Sequence, residues 1–354
     1  MQVSLRVPGQ ADAHVLEVDD GGRWAVPTAS RQIDLGEDWW ALPGLADAHA
    51  HLASDELNLE PGDPAAIRRR AFACLENGVF VVVDKGWNDD SVVMTLSDLP
   101  PASRPDYEAA ARMISVAGGY YPGFAVETDT AGISEAVAQA VEDGHGWVKL
   151  VGDWPRRGRG AVANFDADGL SAAVAAAHAG GARVAIHTMA PEVPGMAVAA
   201  GVDSIEHGLF LDRDDLEKLA ARGGAWIPTL IRMEATAAML GPGSSGARLI
   251  REGLDNVAGL LPRAPEGLAV LAGTDLAVRS SEVGREVEAL VTAGLSPERA
   301  VAAASISVRR YLGLPPGFRL GDPADAVFLP ADPREEPAVL TEPVAVLRGG
   351  IRLR

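Results

Sequence analysis

The stretch GLADAHAHLA, residues 44–53, sets His49 and His51 one residue apart in an apolar run. In an extended strand, residues two apart face one side, so both imidazoles reach the same space while Ala48 and Ala50 face the other way. That spacing suits two nitrogen ligands for one ion, and it equally suits two buried histidines satisfied by hydrogen bonds. Three further apolar runs end on polar groups: His187 closes RVAIH, His207 closes VDSIEH and Asp275 closes LAVLAGTD. Cys74 is the only cysteine, so one chain can form neither a disulfide nor a thiolate zinc site. Any metal must bind nitrogen and oxygen.

Lys149, inside GWVKLVG, conflicts with a metal site if it is an ammonium, because its charge repels the cation. Three chemistries fit it. With carbon dioxide it becomes a carbamate, an anion able to bridge two metals. With a lowered pKa it is a Schiff-base nucleophile, and with an acidic neighbour it is a structural ion-pair partner.

These residues need a scaffold that brings strand ends together. Eight apolar segments read as strands: LADAHAH, VFVVVD, ARMISV, WVKLV, RVAIH, VDSIEH, AWIPTL and LAVLAGTD. Alanine-rich stretches such as SEAVAQAVEDG and DGLSAAVAAAHAGG separate them and read as helices, and Asp63-Pro64 and Ser296-Pro297 read as helix caps with proline in the first turn. Eight βα units close a (β/α)8 TIM barrel, whose active site gathers at the C-terminal ends of the strands. There the four imidazoles and Asp275 converge, and a divalent cation satisfies polar groups whose unpartnered burial is costly. Glu206, next to His207, is expected on the opposite face of its strand.

Residues 43–314 form this barrel. Residues 1–42, with alternating strands and an Asp20-Gly21 turn, and residues 315–354, with strands punctuated by proline and glycine, read as one small discontinuous β-sandwich module built from both ends. GPGSSG, residues 241–246, matches a dinucleotide-binding pattern only formally, since it follows a helical stretch instead of a strand.

A net charge of -18 argues against nucleic acid and anionic membranes as partners. The basic stretch PRRGRG, residues 155–160, reads as a solvated loop. The chain has no uninterrupted apolar run of membrane-spanning length and starts without a basic segment followed by an apolar one, so a cytoplasmic location is expected. The expected partner is a small-molecule substrate, with a homo-oligomer left open.

In this order, PGLADAHAHL, WVKLV, VAIHT, DSIEHGL, IPTL and AGTD resemble the amidohydrolase superfamily, in particular its prolidase-like and imidazolonepropionase-like branch with a carboxylated lysine. The tail GLPPGFRLGDPADAVFL resembles the return of that superfamily to its β-sandwich. The resemblance implies that His49, His51 and Asp275 hold one divalent metal, that His187 and His207 hold another, and that carboxylated Lys149 bridges them. Zinc suits these ligands best, and manganese or iron also fits. It further implies hydrolysis by a hydroxide shared between the metals, with Asp275 as the catalytic proton shuttle.

The nearer relatives carry an arginine and an aspartate after the second strand and a histidine after paired glycines beyond the third; this chain has VVDKG and AGGYYPG. Lys85, Tyr120, Tyr121, Trp154 and Arg232 are therefore the expected substrate contacts. The leading expectation is cleavage of the amide bond of an Xaa-Pro dipeptide, an N-acyl amino acid or a cyclic amide. Lactone or phosphotriester hydrolysis, a Lys149 Schiff-base lyase and a non-catalytic metal-binding scaffold are the alternatives.

Overall fold

A computed structural model describes residues 1–28, 34–36, 38–55, 60–156 and 159–354. The core is a ring of parallel strands. Leu45–Ala50, Val79–Asp84 and Asp106–Ala109 pair in parallel in that order. A seven-stranded sheet runs Ala269–Val270, Ala225–Ile227, Ser204–His207, Arg183–Thr188, Trp147–Val151, Met113–Val116 and Ala125–Thr128.

Backbone hydrogen bonds join the two sheets at both seams. Ala48 N donates to Ala272 O at 2.9 Å and Asp275 N to His49 O at 2.8 Å, while Ala109 and His145 exchange bonds of 2.8 and 2.6 Å. This closes an α/β TIM barrel, as the sequence pattern leads one to expect. One difference concerns the third barrel position. It is filled by two successive segments, because the strand is interrupted between Ala109 and Met113, so the segment expected at ARMISV is shorter and Asp106–Ala109 precedes it.

The eight-unit pattern works because alternate strand residues serve two layers. Val81, Val83, Ala185, Ala225, Ile227 and Leu271 pack inward with Trp147 and with Val308 and Leu312, which come from or follow the helix Ile306–Tyr311. Val82, Val148, Leu150, Ile186, Ile205 and Trp226 pack outward against the surrounding helices. Strands buried on both faces read as continuous apolar runs.

The caps expected at Asp63 and Ser296 are present: Asp63 accepts from Ala65 N at 3.0 Å and Ser296 from Arg299 N at 3.4 Å. GPGSSG follows the helix Leu230–Leu240, and Ser244 caps the next helix, Ser245–Leu260.

The chain ends meet in a β-sandwich. Gln2–Leu5, His14–Val18 and Trp24–Ala25 form one antiparallel sheet, and Trp40–Leu42, Ala326–Leu329, Ala345–Arg348 and Ile351–Arg352 form the other. Val3, Leu5, Trp24, Phe328 and Leu347 share its core. In PRRGRG, residues up to Arg156 and from Gly160 belong to a hairpin, and Arg157 and Gly158 lie outside the described residues. Among the described residues no helix is long and apolar enough to cross a membrane.

Candidate metal centre and its pocket

His49, His51, Lys149, His187, His207 and Asp275 all line one open pocket of ≈ 650 Å³ at the C-terminal ends of the strands. Asp275 Oδ1 lies 3.2 Å from His51 Nε2 and 3.5 Å from His49 Nε2. The ligand atoms of this trio fall within 4.8 Å of one another, close enough to hold one metal ion. His207 Nε2 meets His187 Nδ1 at 2.9 Å, and His207 Nδ1 lies 3.9 Å from Asp275 Oδ2.

Local backbone features aim these groups. Asp47 accepts from His49 N, Thr274 N and Thr274 Oγ1, tying the first strand to the eighth beside both His49 and Asp275. Gly273 allows close approach: a Cβ there would sit 2.5 Å from His49 Cβ. His207 and Asp275 have φ of 63° and 42°, turning each side chain at a strand end into the mouth. Thr229 fixes one His207 nitrogen at 2.6 Å, and the Gly86 carbonyl fixes His51 Nδ1 at 2.7 Å.

Strict alternation fails at two places. Register slips between Asp47 and Ala50, so Ala48 and Ala50 pack into different apolar clusters instead of sharing one face. The left-handed turn at His207 lets Glu206 and His207 both reach the barrel interior, so the expectation that Glu206 points away is incorrect. Fully buried Glu206 places Oε2 2.5 Å from Nδ1 of His49. Its other oxygen meets Ser204 Oγ at 2.5 Å and Lys85 Nζ at 3.2 Å.

Electrostatics favour ligand forms throughout. Burial, with the Lys149 charge, lowers His49 to about 4; burial brings His207 to about 3 against the pull of Asp275; burial and His207 hold His187 well below its usual value. These imidazoles are neutral at pH 7 and keep lone pairs for a metal. Burial opposes ionisation of Asp275, but His49, His51 and Arg232 overcome it and hold the carboxyl well below its usual value. Burial lowers Lys149 to about 8 despite the opposing Glu206, with Lys85 adding to the shift. Its amine makes no hydrogen bond or ion pair among the described residues.

The donor set therefore fits divalent cations: nitrogen and oxygen ligands, no thiol, and a His187 Nε2 left buried without a hydrogen bond.

Of the expected substrate contacts, Tyr120, Tyr121, Trp154 and Arg232 line the pocket. Lys85 does not. It is 1% exposed, with its ammonium held by Glu206 and 4.1 Å above the Trp147 ring, so it sits beneath the ligands and not in the pocket. The sequence reading also missed Asp47, Glu206 and Glu286. Glu286 accepts from Leu230 N and Ile231 N at 2.7 and 3.1 Å and so anchors the helix that carries Arg232. The available signal was an acidic residue inside or facing an apolar run.

Comparison with known proteins shows the family and the fold. The amidohydrolase family model matches residues 40–351. An uncharacterized protein of Mycobacterium tuberculosis is 36% identical over 357 aligned residues, covering 98% of this chain and 93% of its own. Among solved structures, a Xaa-Pro dipeptidase with methionine bound in its active site superposes with a TM-score of 0.80 at 21% identity, over 99% of this chain and 98% of its own. The ochratoxinase of A. niger gives 0.79 at 18% identity, over 100% and 96%. At those identities the two structures show the shared fold.

Proposed function

We propose that this chain, which belongs to the amidohydrolase family, is a metal-dependent hydrolase that cleaves the amide bond of a small substrate. The observation that carries the reading is the convergence of four histidines, an ionised Asp275 and an unpartnered Lys149 amine on one pocket. His49, His51 and Asp275 hold one divalent cation, zinc by ligand preference, and His187 and His207 hold a second. Bound there, the cations supply a water activated near neutral pH and a polarised substrate carbonyl.

The residues do the rest. A lysine amine lowered to about 8 is neutral often enough to react with carbon dioxide, forming an N–C bond and releasing a proton. The resulting carbamate would replace a repulsive cation with an anion whose oxygens suit a site of divalent cations. Asp275, ionised at neutral pH, accepts a proton from the water and returns it to the leaving nitrogen. The water oxygen bonds to the acyl carbon, the C–N bond breaks, and a carboxylate and an amine leave. Xaa-Pro dipeptides, N-acyl amino acids and cyclic amides are the candidate substrates; the Xaa-Pro dipeptidase that shares the fold supports an amide.

The test is metal content by elemental mass spectrometry on protein grown with zinc and bicarbonate, for wild type and Lys149→Ala. Two metals per chain, falling to one or none in the variant, are expected. Little metal in wild type, unchanged by the substitution, would overturn the reading in favour of Schiff-base chemistry at Lys149.

A further inference from the structure

Tyr120, Tyr121 and Trp154 meet edge to face at the pocket, with ring centroids 4.6, 4.7 and 5.2 Å apart. All three are half-buried, so part of each ring faces the open space. Phe124 lies beside Tyr120 at 6.1 Å and packs edge-on to Trp87 at 4.6 Å, extending the aromatic cluster. It ends at the proposed metal ligands, with the Tyr120 and Trp154 rings 6.1 and 6.2 Å from the His187 ring.

Arg232 supplies the other half. Its side chain is 20% exposed, and among the described residues its one charged neighbour is Asp275 Oδ2 at 3.9 Å, beyond hydrogen-bond range. The guanidinium therefore faces the pocket with donors to spare. A planar fork of donors matches a carboxylate, and an aromatic wall matches a flat apolar group.

We infer that the amide substrate carries both features: it is an N-acyl amino acid with an aromatic ring, the ring seated on Tyr120, Tyr121 and Trp154 and the carboxylate on Arg232. This rests on the amide hydrolysis proposed above and narrows its substrate class.

The experiment compares kcat/KM of the zinc-loaded enzyme on N-benzoylglycine and N-acetylphenylalanine, on N-acetylglycine, which lacks the ring, and on N-ethylbenzamide, which lacks the carboxylate. At least one of the first two is expected to exceed each of the others by about 30-fold, the scale set by burying one ring or pairing one carboxylate. Trp154→Ala should collapse the ring preference and Arg232→Met the carboxylate preference. These ratios are independent of the fraction of active protein, so partial misfolding does not disturb them.

N-acetylglycine or N-ethylbenzamide turned over as well as the ringed acids would overturn the inference, as would ratios unchanged in both variants. Calorimetric binding of N-benzoylglycine separates the two levels. Binding weakened in both variants, with no amide hydrolysed, would sink the hydrolase reading while supporting the pocket assignment. No binding and no hydrolysis would sink both.

Discussion

The contact among His49, Glu206 and Lys85 makes the sharpest energetic prediction. Glu206 is fully buried and Lys85 is 1% exposed, so neither charge is compensated by water. Replacing Glu206 with Gln leaves the Lys85 ammonium buried with only the Trp147 ring and a neutral amide beside it. Orphaning one member of a buried pair costs about 3–5 kcal/mol. Lys85→Met strands the carboxylate instead, at similar cost. The double variant removes both charges and should cost less than the summed singles by at least about 2 kcal/mol.

Metal affinity gives a second axis. Glu206 holds Nδ1 of His49 so that Nε2 faces Asp275, and loss of such a partner lowers metal affinity about 10–100-fold. Lys85→Met keeps the Glu206 carboxyl beside His49 but removes the charge that most favours its ionised form, so it should weaken zinc binding less than Glu206→Gln does. The assays are urea unfolding of metal-free protein at constant m-value and zinc titration against a competing chelator. Additive stability costs, or single variants within about 0.5 kcal/mol of wild type, would refute the coupled pair. An unchanged zinc affinity in Glu206→Gln would refute the positioning of His49.

Two other perturbations test the supports of the site. Gly273→Ala places a Cβ 2.5 Å from His49 Cβ and 2.7 Å from Ile227 Cγ2, so it should cost about 1–3 kcal/mol and reduce the rise in melting temperature that zinc produces; retention of the full zinc increment would show that His49 had not moved. Burial raises Glu286 to about 8 against two backbone N–H donors. Its folded-state value lies above the ordinary 4.5, so between those limits the native protein holds a proton that the unfolded chain has released, and stability falls as pH rises through that window. His49, His187 and His207, held below 6.5, act in the opposite direction at the acid end, so the Glu286 contribution is read as the difference between two profiles: from pH 5 to 8 the urea midpoint of wild type should fall relative to that of Glu286→Gln, and parallel profiles would contradict the raised value.

The barrel was legible because its strands are buried on both faces and therefore read as apolar runs, each ending where a polar residue can meet the mouth. His187, His207 and Asp275 stood out for that reason, and the structure brings them into one pocket with His49, His51 and Lys149. Alternation could not supply the supports. It is a rule for regular pleats, and the residues that aim the ligands sit where the pleat breaks: the register slip after Asp47, and the positive φ of His207 and Asp275. Such breaks are set by hydrogen bonds to partners far along the chain, such as Asp47 to Thr274, 227 residues apart.

Lys85 shows the same limit from the other side. Its position after VVVD places it at a strand end, where a cation reads as a substrate contact. Its long side chain instead follows the barrel interior down to Trp147. The site thus depends on a buried acid and a buried base whose charges cancel: Glu206 can hold the His49 ring in the low-dielectric interior because Lys85 and Ser204 keep it ionised and oriented, and burial would otherwise raise its pKa.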